Sequence, residues 1–145
     1  MFVPPSHPCL SLSSEEIAIE KLSSEEVQQL IQRMRDIAAN ERVGTGRVMV
    51  GLAAPQIGVF KRVILVDIGA NANRDLGELK AFINPKIMYK SDDKEEGREG
   101  CYSVDCRMCG IVPRASLIRI EAYDEQGKLI QEELTGFSAR VFQHE

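Results

Sequence analysis

The sequence predicts an α+β domain: an N-terminal amphipathic helix, several mostly antiparallel β-strands, and a C-terminal helix around which the sheets pack. Three observations predict it. A capped stretch with helical periodicity lies near the N-terminus, a β-branched run and an alternating hairpin fill the middle, and helical character returns from Phe137. The 145 residues, 43% hydrophobic and 28% charged, have the size and balance of one globular domain. Such a chain buries about two-thirds of its unfolded surface.

The elements follow in order. After a proline-bearing arm comes LSSEEVQQLIQRMRDIAAN, in which Ser23 and Glu26 match the S-x-x-E capping box. Val27, Leu30, Ile31, Met34, Ile37 and Ala38 then fall on one face, which predicts an amphipathic helix of about four turns. An earlier S-x-x-E, Ser13 to Glu16, predicts a short turn. Arg62 to Ile68 (RVILVDI) is a continuous run rich in β-branched residues, as expected of a buried strand. Residues 71–77 are polar and loop-like, and Leu79 to Tyr89 reads as a strand interrupted near Asn84-Pro85, where proline donates no ladder hydrogen bond. SDDKEEGREG, Ser91 to Gly100, reads as a charged loop. Leu117 to Tyr123 alternates with Ile118, Ile120 and Ala122 on one side, and the DEQG turn at 124–127 returns a strand over Lys128 to Leu134.

Composition excludes several classes. A net charge of −4 and a pI near 5.3 argue against a protein that works by coating nucleic acid or an anionic membrane. No apolar stretch is long enough to span a bilayer, and MFVPPSHPCL lacks the basic start of a secretion signal, so a cytoplasmic location is the default expectation. Cysteines stand at 9, 101, 106 and 109, and three of them crowd together, which disfavours a disulfide framework. Cys101, Cys106 and Cys109 form C-x4-C-x2-C, the spacing that begins one type of iron–sulfur loop, but no fourth cysteine follows downstream. A cluster or structural zinc knot therefore competes with inert thiols at Cys106 and Cys109.

Three short stretches carry more special residues than packing requires. In GLAAPQIG, Gly51 to Gly58, small residues let backbone approach a ligand, and Gln56 can offer an amide N–H to a developing oxyanion. Taken alone, a tight turn explains it as well. In EGCYS, Glu99 to Ser103, Cys101 can present a thiolate to a metal while the next backbone N–H faces the same space. The chain ends on VFQHE, the first half of an H-E-x-x-H metal motif, although a lone histidine near a helix end is more often structural.

Together, in this order, the three stretches resemble the motifs G-x-G-x-A-A-x-Q, E-G-C-x-S and Q-H-E-x-D-H of the peptide deformylase family. HPCL near the start, FINP at Phe82 to Pro85, IVPRA at Ile111 to Ala115, and GFSARVFQHE extend the resemblance along most of the chain. It implies a single domain over 1–145 and a hydrolase of co-translational processing. Such an enzyme removes the N-formyl group from the initiator methionine of nascent polypeptides near the ribosome, with no membrane or specific nucleic-acid partner. By the same resemblance Cys101 and His144 are metal ligands, joined by a second histidine. They hold one ion per intact chain: ferrous iron, with zinc, nickel or cobalt accommodated. Glu145 is the general base, and Gln56 with the backbone N–H of Tyr102 stabilises the oxyanion. Val50, Phe137 and Val141 form the methionine pocket, and the backbone of Val50 and Gly51 pairs with the peptide. Glu99 and Arg114 support the region electrostatically or form an ordinary surface pair.

Two departures from the family pattern stand inside the chain. Met49 replaces the first motif glycine, which predicts a reshaped cleft wall, and VDCRMCG follows the cysteine motif. The resemblance further implies that the sequence stops within the third motif, before its second histidine, so that metal binding by these residues alone is impaired. The competing expectation is a non-catalytic, deformylase-like peptide-binding domain.

Overall fold

The computed structural model describes residues 1–45, 48–71, 73, 77–104 and 109–145. Of the polar loop expected over 71–77, residues 72 and 74–76 lie outside this set, as do Cys106 and residues 105–108 of the VDCRMCG segment. Helix α1 spans Glu25–Thr45 and helix α2 spans Gly136–His144. Among the described residues seven strands lie between them: β1 (Gly51–Ala53), β2 (Val63–Asp67), β3 (Leu79–Lys90), β4 (Lys94–Gly100), β5 (Cys109–Ala115), β6 (Leu117–Tyr123) and β7 (Leu129–Thr135). They form a five-stranded sheet in the order β1-β2-β3-β6-β7 and a separate two-stranded ribbon, β4-β5. Every pairing in both is antiparallel. No helix among the described residues is long and apolar enough to cross a membrane.

The continuous apolar run of β2 has a simple cause: both faces of this strand are covered. Val63 and Leu65 join Ile31, Met34 and Leu52 in a core under α1, while Ile64 and Val66 join Phe82, Ile118 and Phe142 in a second core under α2. At β2 the sheet is therefore sandwiched between the two helices, and each apolar residue of this strand goes to one core or the other by the two-residue alternation of side chains. Met49 lies just before β1, where the bend at Val50 breaks the alternation. It is 4% exposed and packs in the core under α1, whereas Val48 and Val50 on either side line a cleft. Met49 does not reshape the cleft wall, contrary to expectation, because its side chain faces the other way.

Several boundaries differ from those read in the sequence. The helix cap is Ser24 rather than Ser23, since the Val27 N–H donates to Ser24 Oγ at 3.4 Å. The helix also runs past Asn40 to Thr45, because nothing in ERV stops it when its apolar stripe ends. Ser13 to Glu16 is extended rather than a turn, and Glu15 bridges Lys61 in parallel. The charged stretch expected to be a loop contains β4, paired with the IVPRA-bearing β5. A two-stranded ribbon leaves its residues open to water, so charge is tolerated and no hydrophobic alternation announces the strand.

The proline of β3 does not interrupt the strand. The register shifts between Ile83 and Lys86, and the missing ladder donor of Pro85 falls in that bulge. Asn84 adopts a left-handed φ of 51° within it. Its carboxamide accepts from Ile17 N at 2.8 Å and donates to Ile17 O at 2.8 Å, which ties the N-terminal arm to the sheet. Asn84→Ala removes both bonds and leaves the buried amide of Ile17 unpaired. An unsatisfied buried group costs about 1–3 kcal/mol, and alanine tolerates positive φ less well than asparagine. We expect the urea midpoint to report a loss of about 2–4 kcal/mol.

Candidate active site

Helix α2 places Phe137, Arg140, Val141, His144 and Glu145 on one face, at the three- and four-residue spacings that align side chains on a helix. That face closes one side of a cavity of about 240 Å³. Opposite it lie Val50 and Gly51 of the sheet edge, Gln56 of the short 3-10 turn that follows β1, and Glu99 to Tyr102 at the end of β4. The nine residues given metal, catalytic or substrate-binding roles in the sequence, Val50, Gly51, Gln56, Cys101, Tyr102, Phe137, Val141, His144 and Glu145, line this single cavity.

Several of them are held by identifiable contacts. The Ala53 N–H donates to Gln56 Oε1 at 2.8 Å. A backbone N–H can only donate, so this bond fixes which end of the carboxamide is oxygen and turns Nε2 toward the cavity. Gln56 Nε2 donates to Ser103 Oγ at 3.1 Å and lies 3.6 Å from Cys101 Sγ. The N-terminal arm supports this wall: Val3 N donates to Gln56 O at 2.9 Å, and the Phe2 ring stacks on Tyr102 with centroids 5.5 Å apart. Gly51 cannot carry a side chain here, because a Cβ would stand 2.9 Å from Val141 Cγ1 and closer still to the Glu145 carboxylate. Val50 O accepts from Asp67 N at 2.8 Å, so by ladder alternation the backbone groups facing the open sheet edge are those of Gly51 rather than Val50.

The electrostatic centre is Glu99, with only 8% of its side chain exposed. Arg114 grips it with two nitrogens, Nε to Oε1 at 3.0 Å and Nη2 to Oε2 at 2.8 Å. Arg140 Nη1 donates to Oε1 at 2.8 Å, and His144 Nδ1 lies 2.9 Å from Oε2. Burial alone favours the neutral acid, but the hydrogen bonds from Arg114, His144 and Arg140 hold Glu99 down to about 2. His144 hydrogen-bonds Cys101, which lowers the thiol to about 7 against its burial, with help from Ser103. The same bond raises His144 to about 9 against its burial, aided by Glu99 and Glu145. Burial pushes the Glu145 carboxyl up to about 8.

This donor set fits a divalent transition metal. Cys101 is a thiol lowered to about 7, and His144 has Nδ1 against the Glu99 carboxylate, which orients the ring, so a sulfur and an imidazole ligand stand side by side. Among the described residues no group of three or more His, Cys, Asp or Glu side chains is arranged to hold a metal ion by itself. The other histidine, His7, accepts from Cys9 N at 3.2 Å in the N-terminal turn. Cys9 itself is buried, and Cys109 is exposed at the start of β5 opposite Gly100.

Sequence reasoning missed three residues. Arg140 is one; its only signal was the four-residue spacing before His144. Ser103 lies in EGCYS, but only the fold shows that its hydroxyl holds Gln56. Gln143 makes a two-bond clasp with the backbone of Ala115, at 3.1 and 2.9 Å, joining α2 to the ribbon.

Residues 2–145 match the family model for polypeptide deformylase. The chain is similar to the peptide deformylase of Pseudothermotoga lettingae, 41% identical over 96 residues, which cover 66% of this chain and 51% of that protein. It is also similar to the peptide deformylase of Halalkalibacterium halodurans, 40% identical over 130 residues, with 84% of this chain and 70% of that one covered. The chain thus spans about half the length of the first of these relatives. Its fold superposes on a class I type b peptide deformylase from Acinetobacter baumannii with Met-Ala-Ser bound. The TM-score is 0.87 at 30% identity, with 100% of this chain and 89% of that chain covered.

The Glu99 shift fixes the sign of an acid response. A carboxyl held below its ordinary value stabilises the fold above the unfolded-state value, 4.5, and loses that contribution as pH falls toward about 2. Urea midpoints should therefore fall across this window for the wild type. Glu99→Gln should be weaker near neutrality and flatter toward acid.

Proposed function

The chain belongs to the polypeptide deformylase family, and from that premise we propose that it removes the N-formyl group from the initiator methionine of nascent polypeptides, releasing formate. The observation that carries this reading is the convergence of a thiolate, an imidazole, an enclosed carboxyl and an oriented carboxamide on one cavity, from three separate elements. We assign Cys101 and His144 to one metal ion, which when bound supplies Lewis acidity and generates a nucleophile from water near neutral pH. Ferrous iron is the ion assigned, and zinc, nickel or cobalt suits the same donors.

The chain's own residues do the rest. Glu145 takes a proton from the attacking water and returns it to the leaving amine; a carboxyl pushed up to about 8 exchanges protons readily at neutral pH. Gln56 Nε2 and the Tyr102 N–H donate to the oxygen that gains charge as water adds to the formyl carbon. The methionine side chain occupies the apolar wall of Val50, Phe137 and Val141, and the Met-Ala-Ser peptide in the Acinetobacter baumannii enzyme supports a substrate of this kind. The extended peptide adds to the open edge of β1 through Gly51, the residue whose missing side chain leaves room for Glu145. The setting is cytoplasmic, close to the ribosome where formylated chains emerge.

In the family pattern the third ligand is the second histidine of the motif, three positions after Glu145. We therefore expect the 145 residues alone to retain zinc or iron poorly in elemental analysis, and the chain continued through that histidine to hold one ion. The continued, iron-loaded chain should release formate from formyl-Met-Ala-Ser. Tight hydroxamate binding without formate release would replace this reading with that of a non-catalytic peptide-binding domain. Gln56→Ala should lower kcat by roughly 10²–10³ with a smaller effect on KM, as expected for a donor used in the transition state.

A further inference from the structure

Cys101 and His144 arrive from different elements, the ribbon and α2, and nothing covalent fixes one against the other. Glu99 lies near the end of β4 and Cys101 directly follows the strand, both lining the cavity, while Arg140 and His144 are one helical turn apart on α2. The Glu99 carboxylate straddles that turn: Oε1 takes Arg140 and Oε2 takes His144. Arg140, 11% exposed, also donates to Val112 O of β5 at 2.8 Å and to Glu95 O of β4. It lies flat on Gly97, where a Cβ would meet its Cζ at 2.5 Å. Gln143 pins the end of β5 to the helix, β5 carries β4 through their ladder and the grip of Arg114 on Glu99, and Arg140 adds a bond from α2 to the backbone of β4 itself.

We propose that Arg140 is a positioning residue that sets the register of β4 against α2, and through Glu99 sets the approach of Cys101 to His144 and hence the affinity for the metal ion. The glycine at position 97 is part of the same device, since any side chain there would lift the guanidinium off the strand. The inference rests on the metal assignment made above.

Cobalt(II) titration of the chain continued through the second histidine of the motif tests it, read by the absorption of the thiolate-ligated ion, with circular dichroism as the check on folding. Arg140→Met should weaken cobalt binding by about 10–100-fold and alter the spectrum, as loss of a group supporting a ligand does. Arg140→Lys, which keeps the charge but not the planar fork, should recover part of the loss. Arg119→Met, which removes an exposed pair with Glu133, should leave affinity unchanged. Gly97→Ala should shift affinity in the same direction as Arg140→Met, and it decides the matter if Arg140→Met does not fold. Wild-type affinity and spectrum in a folded Arg140→Met or Gly97→Ala chain overturn the proposal while leaving deformylase activity standing. A wild type that binds cobalt tightly but releases no formate sinks the activity and leaves the role of Arg140 intact.

Discussion

The buried carboxylate of Glu99 is the interaction on which the rest of this site depends. A carboxylate taken out of water is costly unless its oxygens are matched by donors of good geometry, and removing one partner of such a group typically costs about 3–5 kcal/mol. Glu99 meets that requirement with two arginines and a histidine, drawn from β5 and α2. The requirement works in both directions. The arginines keep Glu99 ionised, and an ionised Glu99 can orient His144 without surrendering its own charge. Cys101, two residues along, is carried to the same place by the strand. The electrostatics and the geometry of the cavity thus have one origin.

The large sheet supplies the rigidity this arrangement needs. With β2 buried on both faces, the strands are fixed by two cores rather than one, and α2 rests on the second core through Ala139, Val141 and Phe142. Phe142 meets Phe82 edge-on, with ring centroids 5.2 Å apart, directly behind the cavity face of the helix. The helix that carries His144 is therefore held by apolar packing on its inner side and by Arg140 and Gln143 on its ribbon side. A nine-residue helix is too short to be stable by itself, so its position is a property of these contacts.

Much of the fold was legible because the large sheet and the helices obey burial. Val63 to Val66 announce a doubly covered strand, Ile118, Ile120 and Ala122 announce a half-covered one, and the stripe from Val27 to Ala38 announces α1. The ribbon was not legible, since Lys94 to Gly100 bury too little to leave a pattern. Pro85 misled for a related reason: whether a missing donor breaks a strand depends on whether the partner offers an acceptor there, and the register shift removes the conflict. Met49 misled because a motif position says which residue changed but not which way its side chain points.

The candidate site divides along the same line. The residue types and their order, a glycine-flanked glutamine, a cysteine after glycine and a terminal His-Glu pair, determined the chemistry available, because thiolate, imidazole and carboxyl groups carry their reactivity wherever they sit. What the tertiary structure decided is everything that depends on distance between elements: that Gln56 turns its nitrogen inward, that Glu145 faces Gly51, and that Arg140 and Ser103 belong to the site at all. Hydrogen bonds and ion pairs fall off within a few ångströms, so residues far apart in the chain acquire partners only when the sheet, the ribbon and the helix have packed.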